Sequence, residues 1–264
     1  MTPVAITDFT LVSALGAGRA ATLAALRESR SGLQQRRFES AELDTWLGVV
    51  DGLDEVELAP HLSDYDCRNN RLAELALRSD GFGARVRAAA SRWGSQRVGV
   101  FLGTSTSGIL SVELAYRQRD PHDGSLPQGL NYAGVQNTYS VAGYVRAALG
   151  LRGPAFVIST ACSSSAKAFA SAARMLQAGL IDAAVVGGVD SLCMTTLYGF
   201  HSLELLSADI CRPWDVRRNG LSLGEAGAYA LLERDAEAPM AWLLGSGESS
   251  DGHHMSSPLP DGAG

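Results

Sequence analysis

The stretch that decides the fold is 155-AFVISTACSSSAKAFASAARMLQAG-179. Residues 155–159 are short, apolar and preceded by Gly153 and Pro154, a pattern typical of a buried strand. From Ser163 onward, Ala, Leu, Met and Gln favour a helix, and Gly179 is expected to end it. Because the first half of this helix consists mostly of Ser and Ala, we expect it to pack closely between other layers.

Cys162 falls at the joint between this strand and this helix. Backbone N–H groups at the start of a helix lack intrahelical partners and carry partial positive charge. They stabilise a thiolate and can bind a developing oxyanion, so a cysteine nucleophile is chemically reasonable here. The alternative is a small buried cysteine packed in a tight turn, since free cysteine is among the most buried residue types.

Length and composition restrict the class of protein. The 264 residues suffice for one large domain or two, with a sizeable core. The net charge of −6 argues against nucleic-acid binding by the chain as a whole. The four cysteines form no CxxC pair or metal-ligand cluster, so we expect a reduced, cytoplasmic protein without a metal site. The N-terminus lacks the pattern of a signal peptide, and no apolar run is long enough to span a membrane.

Strand and helix patterns alternate along the rest of the chain. We expect further strands at residues 4–12, 97–103, 181–189, 224–233 and 241–247. Helices are predicted at residues 20–28, 64–78, 84–93, 109–119 and 141–149. The segment 30–62 has weak periodicity and is expected to wrap the surface. This alternation is typical of an α/β architecture.

Four motifs in order along the chain carry a family resemblance. They are 160-TACSSS-165, 187-GGVD-190, 211-CRPWDVRRNGLSLGEAG-227 and 249-SSDGHHMSSP-258, and the stretches 11-LVSALG-16 and 30-RSGL-33 also fit. Together they resemble the β-ketoacyl-ACP synthases of the thiolase-like condensing enzymes. The resemblance extends over essentially the whole chain.

The resemblance implies a thiolase-like, layered αβαβα fold built from two similar lobes. Residues 1–240 would form the first lobe and carry the nucleophile, and residues 241–264 would begin the second. In this family Cys162 would receive an acyl group from an acyl carrier protein (ACP). Malonyl-ACP would then lose CO2 and attack the thioester, in fatty acid, polyene or polyketide synthesis.

The resemblance also implies groups that would follow residue 264. Two histidines, in HGT and GH motifs, assist decarboxylation in this family, and a Gly-Phe-Gly loop supplies a second oxyanion donor. We therefore interpret the sequence as the N-terminal portion of a longer synthase.

Individual residues receive roles from the same resemblance. Thr106 and Phe200 match positions that line the acyl pocket, although ordinary core packing explains both equally well. Asp251 and His254 match a loop at the pocket entrance, and Asp251 could equally be a turn residue. By its motif, His254 matches neither of the decarboxylating histidines.

A basic helix face is the candidate docking surface for the carrier protein. Arg68, Arg71 and Arg78 roughly share one face of the predicted helix 64–78, which would suit an acidic partner. A solvated charged face is the ordinary alternative. Glu204 stands where the family would have a basic residue that contacts the carrier, and it departs from the usual docking pattern.

Cofactors, partners and rival functions follow from the same comparison. No bound cofactor is implied, because phosphopantetheine is carried by the ACP. A homodimer, or a heterodimer with a related synthase subunit, is implied. Family members that act as chain-length partners lack the cysteine, so Cys162 favours a catalytic subunit. A non-catalytic partner or scaffold subunit and a thiolase stay open as alternatives, whereas a serine hydrolase is disfavoured by the lack of a G-x-S-x-G motif.

Overall fold

A mixed β-sheet forms the centre of the computed structural model, which describes residues 2–254 and 257–263. The strands, in chain order, are β1 (Val4–Ser13), β2 (Gly16–Ala17), β3 (Leu47–Gly48), β4 (Val98–Gly103), β5 (Ala155–Ile158), β6 (Ala183–Asp190), β7 (Leu223–Gly224), β8 (Ala226–Glu233) and β9 (Ala241–Leu243). The α-helices are α1 (Arg19–Arg27), α2 (Arg68–Arg78), α3 (Phe82–Trp93), α4 (Ile109–Arg117), α5 (Ser140–Ala148), α6 (Ser164–Gln177) and α7 (Met194–Ser202).

The order of the main sheet brings three strand ends together. Its path is β2-β1-β8-β6-β4-β5, with β9 paired to β1 outside that path. Strand β8 runs antiparallel to β1 and to β6, while β4 runs parallel to β6 and to β5. The carboxyl ends of β4, β5 and β6 therefore meet at one edge, the edge at which open α/β sheets bind ligands.

Helices cover both faces of this sheet. In β4, Val98, Val100 and Leu102 face a core shared with α2, α3 and α5. Phe101 faces the opposite core, which it shares with Ala172 and other residues of α6. This alternation is the period of two expected of a strand that is buried on both faces. The resulting helix–sheet–helix layering confirms the predicted α/β class.

The predicted strand before Cys162 forms, but it is not buried. Strand β5 lies at the edge of the sheet, with β4 as its paired neighbour, and Phe156 is 50% exposed. The helix that follows ends as predicted, with Gly179 at φ +69°. One face of α6 is exposed, including Ala166, so this helix is covered on one side rather than buried between two layers.

Two other expectations need correction. The segment 30–62 contributes Phe38, Leu47, Leu53 and Leu62 to the core instead of only wrapping the surface. Its buried side chains come from a two-residue strand, two short 3-10 helices and the loops between them, which are too short to give a periodic pattern in the sequence. Helix α7 has no counterpart among the predicted elements.

Strand β9, in the segment assigned to a second lobe, pairs with the main sheet. Val4 and Ile6 of β1 pair with Leu243 and Ala241 of β9. The division into two lobes at residue 241 stays a prediction. Met255, Ser256 and Gly264 of the segment assigned to that lobe lie outside the described residues. In the described part of the chain, no helix has both the length and the apolar character needed to cross a bilayer.

Candidate active site

A tight turn between β5 and α6 presents the thiol of Cys162. Residues 161–163 form a single 3-10 turn, and Ala161 adopts φ +52°, a region that L-residues other than Asn and Asp seldom occupy. The hydroxyl of Ser164 donates to the Ala161 carbonyl at 2.6 Å and accepts from the Thr160 N–H at 2.9 Å. These bonds turn the chain sharply at Cys162, whose side chain is exposed.

Glycines at the ends of β4 and β6 let helix α6 begin directly on the sheet. A Cβ atom at Gly103 would lie 2.4 Å from the backbone nitrogen of Ser165. At Gly188 it would lie 2.9 Å from the Ser165 Cβ. The absence of side chains at these two positions therefore fixes where α6 starts, and with it the position of Cys162 above the strand ends.

A cavity of about 680 Å³ opens beside this turn. Cys162 lines it together with Phe200, and the other lining groups come mainly from β1, β6, β8 and α6. These include Gly103, Ser105, Phe169, Val186, Asp190 and Ala228. Ligand pockets are typically about 300–1,000 Å³ and mostly apolar, so this cavity has the size and character to hold a small acyl chain.

Thr106 is not part of this lining, although the sequence suggests a pocket role for it. Its side chain is 5% exposed and lies in a polar network below the cavity. The Thr106 hydroxyl donates to Asp190 Oδ1 at 3.0 Å and accepts from the Ser191 N–H at 3.2 Å. The structure thus places Phe200 with Cys162 and leaves Thr106 behind the cavity wall.

Asp251 and His254 belong to an exposed segment that does not line the cavity. The Asp251 carboxylate accepts from the backbone N–H groups of His253 at 3.1 Å and Leu259 at 2.9 Å. These two hydrogen bonds lower the pKa of Asp251. Asp251 therefore organises its own loop, which fits the turn role considered for it.

Arg68 and Arg71, the candidate docking residues, have acidic partners within the chain. Arg68 donates to Glu225 at 2.6 and 2.8 Å and to Asp54 at 2.6 Å, and its side chain is only 9% exposed. Arg71 donates to both oxygens of Asp66, at 2.6 and 2.8 Å. Since the side chain of Glu225 is fully buried, Arg68 serves to neutralise it. Arg68 therefore has a structural role within the chain, and the docking role of Arg68 and Arg71 stays a prediction.

The four cysteines differ sharply in their surroundings. Cys67 and Cys193 are buried, and Cys211 is partly buried. Burial raises the pKa of the Cys67 thiol to about 11, and burial also raises the pKa of Cys193. All four lie within the described residues, and among them Cys162 alone is exposed to solvent.

Two polar residues beside the thiol had no role assigned from sequence. Ser105 and Asp190 both line the cavity. Asp190 is the last residue of the 187-GGVD-190 motif. That motif contributed to the family resemblance, but it did not indicate a role for Asp190. Ser105 lies in a run of Thr and Ser that offers no periodic pattern, so only its position in the folded chain draws attention to it.

Several known proteins are similar to this chain in sequence. Residues 70–238 match the family model described as the N-terminal domain of β-ketoacyl synthase. Nodulation protein E of Rhizobium sp. (strain N33) is 31% identical over 72% of this chain and 47% of its own length. The 3-oxoacyl-[acyl-carrier-protein] synthase 2 of Vibrio cholerae is 28% identical over 99% of this chain and 66% of its own length.

A solved structure extends the likeness to three dimensions. A ketosynthase from Xenorhabdus doucetiae, solved in complex with its chain length factor, is similar with a TM-score of 0.86 and 35% identity. That match covers 99% of this chain and 65% of the solved one. The chain thus spans about half to two thirds of the length of these relatives. Because the family model covers more than half of the chain, including the turn that presents Cys162, the chain belongs to the β-ketoacyl synthase family of thiolase-like condensing enzymes.

Proposed function

We propose that this chain carries the acyl-accepting site of a β-ketoacyl-ACP synthase, with Cys162 as the nucleophile. The observation that carries the proposal is the exposed Cys162 thiol at the start of α6, on the wall of a cavity of about 680 Å³. The other three thiols are wholly or partly buried. A non-catalytic scaffold subunit would not require an exposed cysteine at a sharp turn.

The first half-reaction is transfer of an acyl group between two sulfur atoms. The Cys162 thiolate attacks the carbonyl carbon of an acyl thioester on the phosphopantetheine arm of an ACP. A new C–S bond forms, the carbonyl becomes an oxyanion, and backbone N–H groups at the helix start are suited to stabilise it. The bond to phosphopantetheine then breaks, and that thiolate leaves and takes up a proton.

The lining of the cavity suits the acyl chain of this intermediate. Phe169 and Phe200 contribute aromatic surface, and Val186 and Ala228 contribute aliphatic surface. Burying apolar area contributes about 25 cal/mol per Å², so each further methylene of a bound chain adds about 0.8 kcal/mol. The pocket therefore favours an apolar acyl group over a charged one.

The second half-reaction, decarboxylation of malonyl-ACP, needs donors that stabilise an enolate. The chain has five histidines, all among the described residues, and none of them lines the cavity of Cys162. We assign this step to the histidines of the HGT and GH motifs that the family carries beyond the region matched here.

Assembly in pairs is part of the same proposal. Strand β5 leaves one sheet edge without a partner strand among the described residues. The similar ketosynthase was solved with a chain length factor. We propose that β5 pairs with the same strand of a second copy, or of a related subunit, because an exposed edge favours strand addition.

Intact-protein mass spectrometry after incubation with acyl-ACP tests the proposal. We expect a mass increase of one acyl group, lost on treatment with hydroxylamine, which cleaves thioesters. Cys162→Ala should gain nothing, while Cys211→Ser, which alters the next most accessible thiol, should be acylated like the wild type. Acylation that persists in Cys162→Ala, or none in any variant, would contradict the proposed role.

A further inference from the structure

The carboxylate of Asp190 gathers hydrogen bonds from a neighbouring loop. Asp190 ends β6, and residues 104–106 leave β4, the adjacent parallel strand. Asp190 Oδ1 accepts from the backbone N–H groups of Ser105 at 2.6 Å and Thr106 at 3.0 Å. It also accepts from the hydroxyls of Thr104 and Thr106, each at 3.0 Å. Because hydrogen bonds to an ionised acceptor are about twice as strong as neutral ones, Asp190 holds this loop against β6.

The loop in turn contacts the residue before the candidate nucleophile. The Ser105 hydroxyl donates to the Ala161 carbonyl at 3.3 Å, and Ser164 donates to the same oxygen at 2.6 Å. The Ala161 carbonyl thus accepts from the hydroxyl and the backbone N–H of Ser164, and from Ser105 in the loop that follows β4. A backbone in the left-handed region costs an alanine free energy and persists only where its surroundings hold it. The hydrogen bond from Ser105 helps to hold Ala161 in this conformation, and it comes from outside the turn.

We infer that Asp190 is a positioning residue for Cys162: through Ser105 it holds the Ala161 carbonyl, and with it the turn that presents the thiol to the cavity. The inference rests on the proposed function only in taking Cys162 as the nucleophile. It also gives the GGVD motif a physical role.

The rate at which iodoacetamide alkylates Cys162 reports the surroundings in which the turn presents the thiol, without any acyl transfer. We expect Asp190→Ala and Ser105→Ala each to slow this reaction by about tenfold, because a thiol that leaves the helix start loses the electropositive surroundings that make a cysteine reactive. Asp190→Asn keeps an oxygen acceptor at the same place and should stay within about twofold of the wild type. The double variant Asp190→Ala/Ser105→Ala should be no slower than the slower single variant, since both act through one contact.

Internal controls separate displacement from unfolding. Peptide mapping reports the alkylation of Cys67 and Cys193, which are buried and should stay unlabelled in a folded variant. Ser91→Ala removes a hydroxyl that donates to Arg87 within α3, and it should alkylate like the wild type.

The inference is overturned if Asp190→Ala alkylates Cys162 at the wild-type rate or faster. It is also overturned if Asp190→Asn is as slow as Asp190→Ala, because keeping the acceptor oxygen would then not preserve the position of the thiol. If the buried thiols become labelled in Asp190→Ala, that variant is not folded and the test passes to Ser105→Ala. An unchanged rate of Cys162 alkylation in Ser105→Ala would then reject the inference. Failure of acyl transfer in the wild type would leave these alkylation rates unaffected, so the two proposals fail separately.

Discussion

Single thiols differ in reactivity because the fold places them in different surroundings. Cys162 stands exposed at a helix start, whereas burial raises the pKa of Cys67 to about 11. We expect iodoacetamide at neutral pH to label Cys162 first, then the partly buried Cys211, with Cys67 and Cys193 unlabelled. Peptide mapping over a time course measures this order. Preferential labelling of any other cysteine would contradict it.

Loss of Arg68 should destabilise the fold more than loss of Arg71 on the same helix. Arg68→Ala leaves the fully buried carboxylate of Glu225 without its cation, so the free energy of unfolding should fall by about 3 kcal/mol. Arg71→Ala is the matched control on the same helix, because its pair with Asp66 is partly exposed and should contribute about 0–1 kcal/mol. Urea denaturation followed by circular dichroism measures both. Equal losses in the free energy of unfolding would show that the buried pair of Arg68 and Glu225 contributes no more than the exposed pair.

The role of Arg68 also shows where sequence reasoning ends at this scale. Helical spacing correctly placed Arg68 and Arg71 on one helix. The partner of Arg68, Glu225, is 157 positions away along the chain, and no local pattern connects the two. By contrast, the placement of Cys162 at a helix start depends only on its immediate neighbours, and the structure has it there.

At the level of elements, helix α6 depends on bare backbone at the ends of two strands. In Gly103→Ala the new Cβ would lie 2.4 Å from the Ser165 nitrogen and 2.8 Å from its Cα. Backbone atoms cannot yield as a flexible side chain does, so we expect a loss of about 3 kcal/mol in the free energy of unfolding. Gly199→Ala in α7 is the control, because its Cβ would meet nothing within 4 Å and alanine favours helix by about 0.5–1 kcal/mol. Thermal unfolding of both variants checks the prediction, which fails if Gly103→Ala melts like the wild type.

Elements with strong local patterns were predictable, and irregular ones were not. The strands near residues 97–103 and 181–189 were expected from continuous apolar runs, and β4 and β6 confirm them. The exposure of β5 depends on its place at the sheet edge, which an apolar run of four or five residues does not encode. Helix α7 begins at Met194, where Glu113 of α4 accepts from the Met194 and Thr195 N–H groups. That cap comes from a distant segment, so the sequence around Met194 gives no start signal.

At the scale of the whole molecule, the unpaired edge of β5 indicates that the protein forms a dimer. We expect light scattering to give twice the mass of one chain, or a heterodimer when a related subunit is co-expressed. Phe156→Lys places a charge on the exposed edge and should yield monomers. Leu26→Lys changes an exposed apolar residue of α1 instead, and should leave the dimer intact. A monomeric wild type at micromolar concentration, fully active in acyl transfer, would rule out this assembly.

We expect this chain to carry out only the first of the two half-reactions, acyl transfer. We expect residues 1–264 to accept an acyl group yet to release no CO2 from malonyl-ACP above background, because no histidine lines the cavity. Radiolabelled malonyl-ACP measures the release, and a β-ketoacyl synthase that carries the HGT and GH motifs is the positive control. Release at the rate of that enzyme would show that the histidines are unnecessary and that the assigned mechanism is wrong.

The pairing of β1 with β8 has a consequence for synthesis on the ribosome. Residues 4–13 are made before the other strands of the main path, whereas the strand beside them, residues 226–233, is made last among these strands. At about 5–20 residues per second, roughly ten to fifty seconds separate the synthesis of the two strands. During that interval the edge of β1 that β8 covers is open to other nascent chains. We expect this protein to depend on chaperones that bind the newly made β1, and to gain soluble yield when translation is slow and the temperature low.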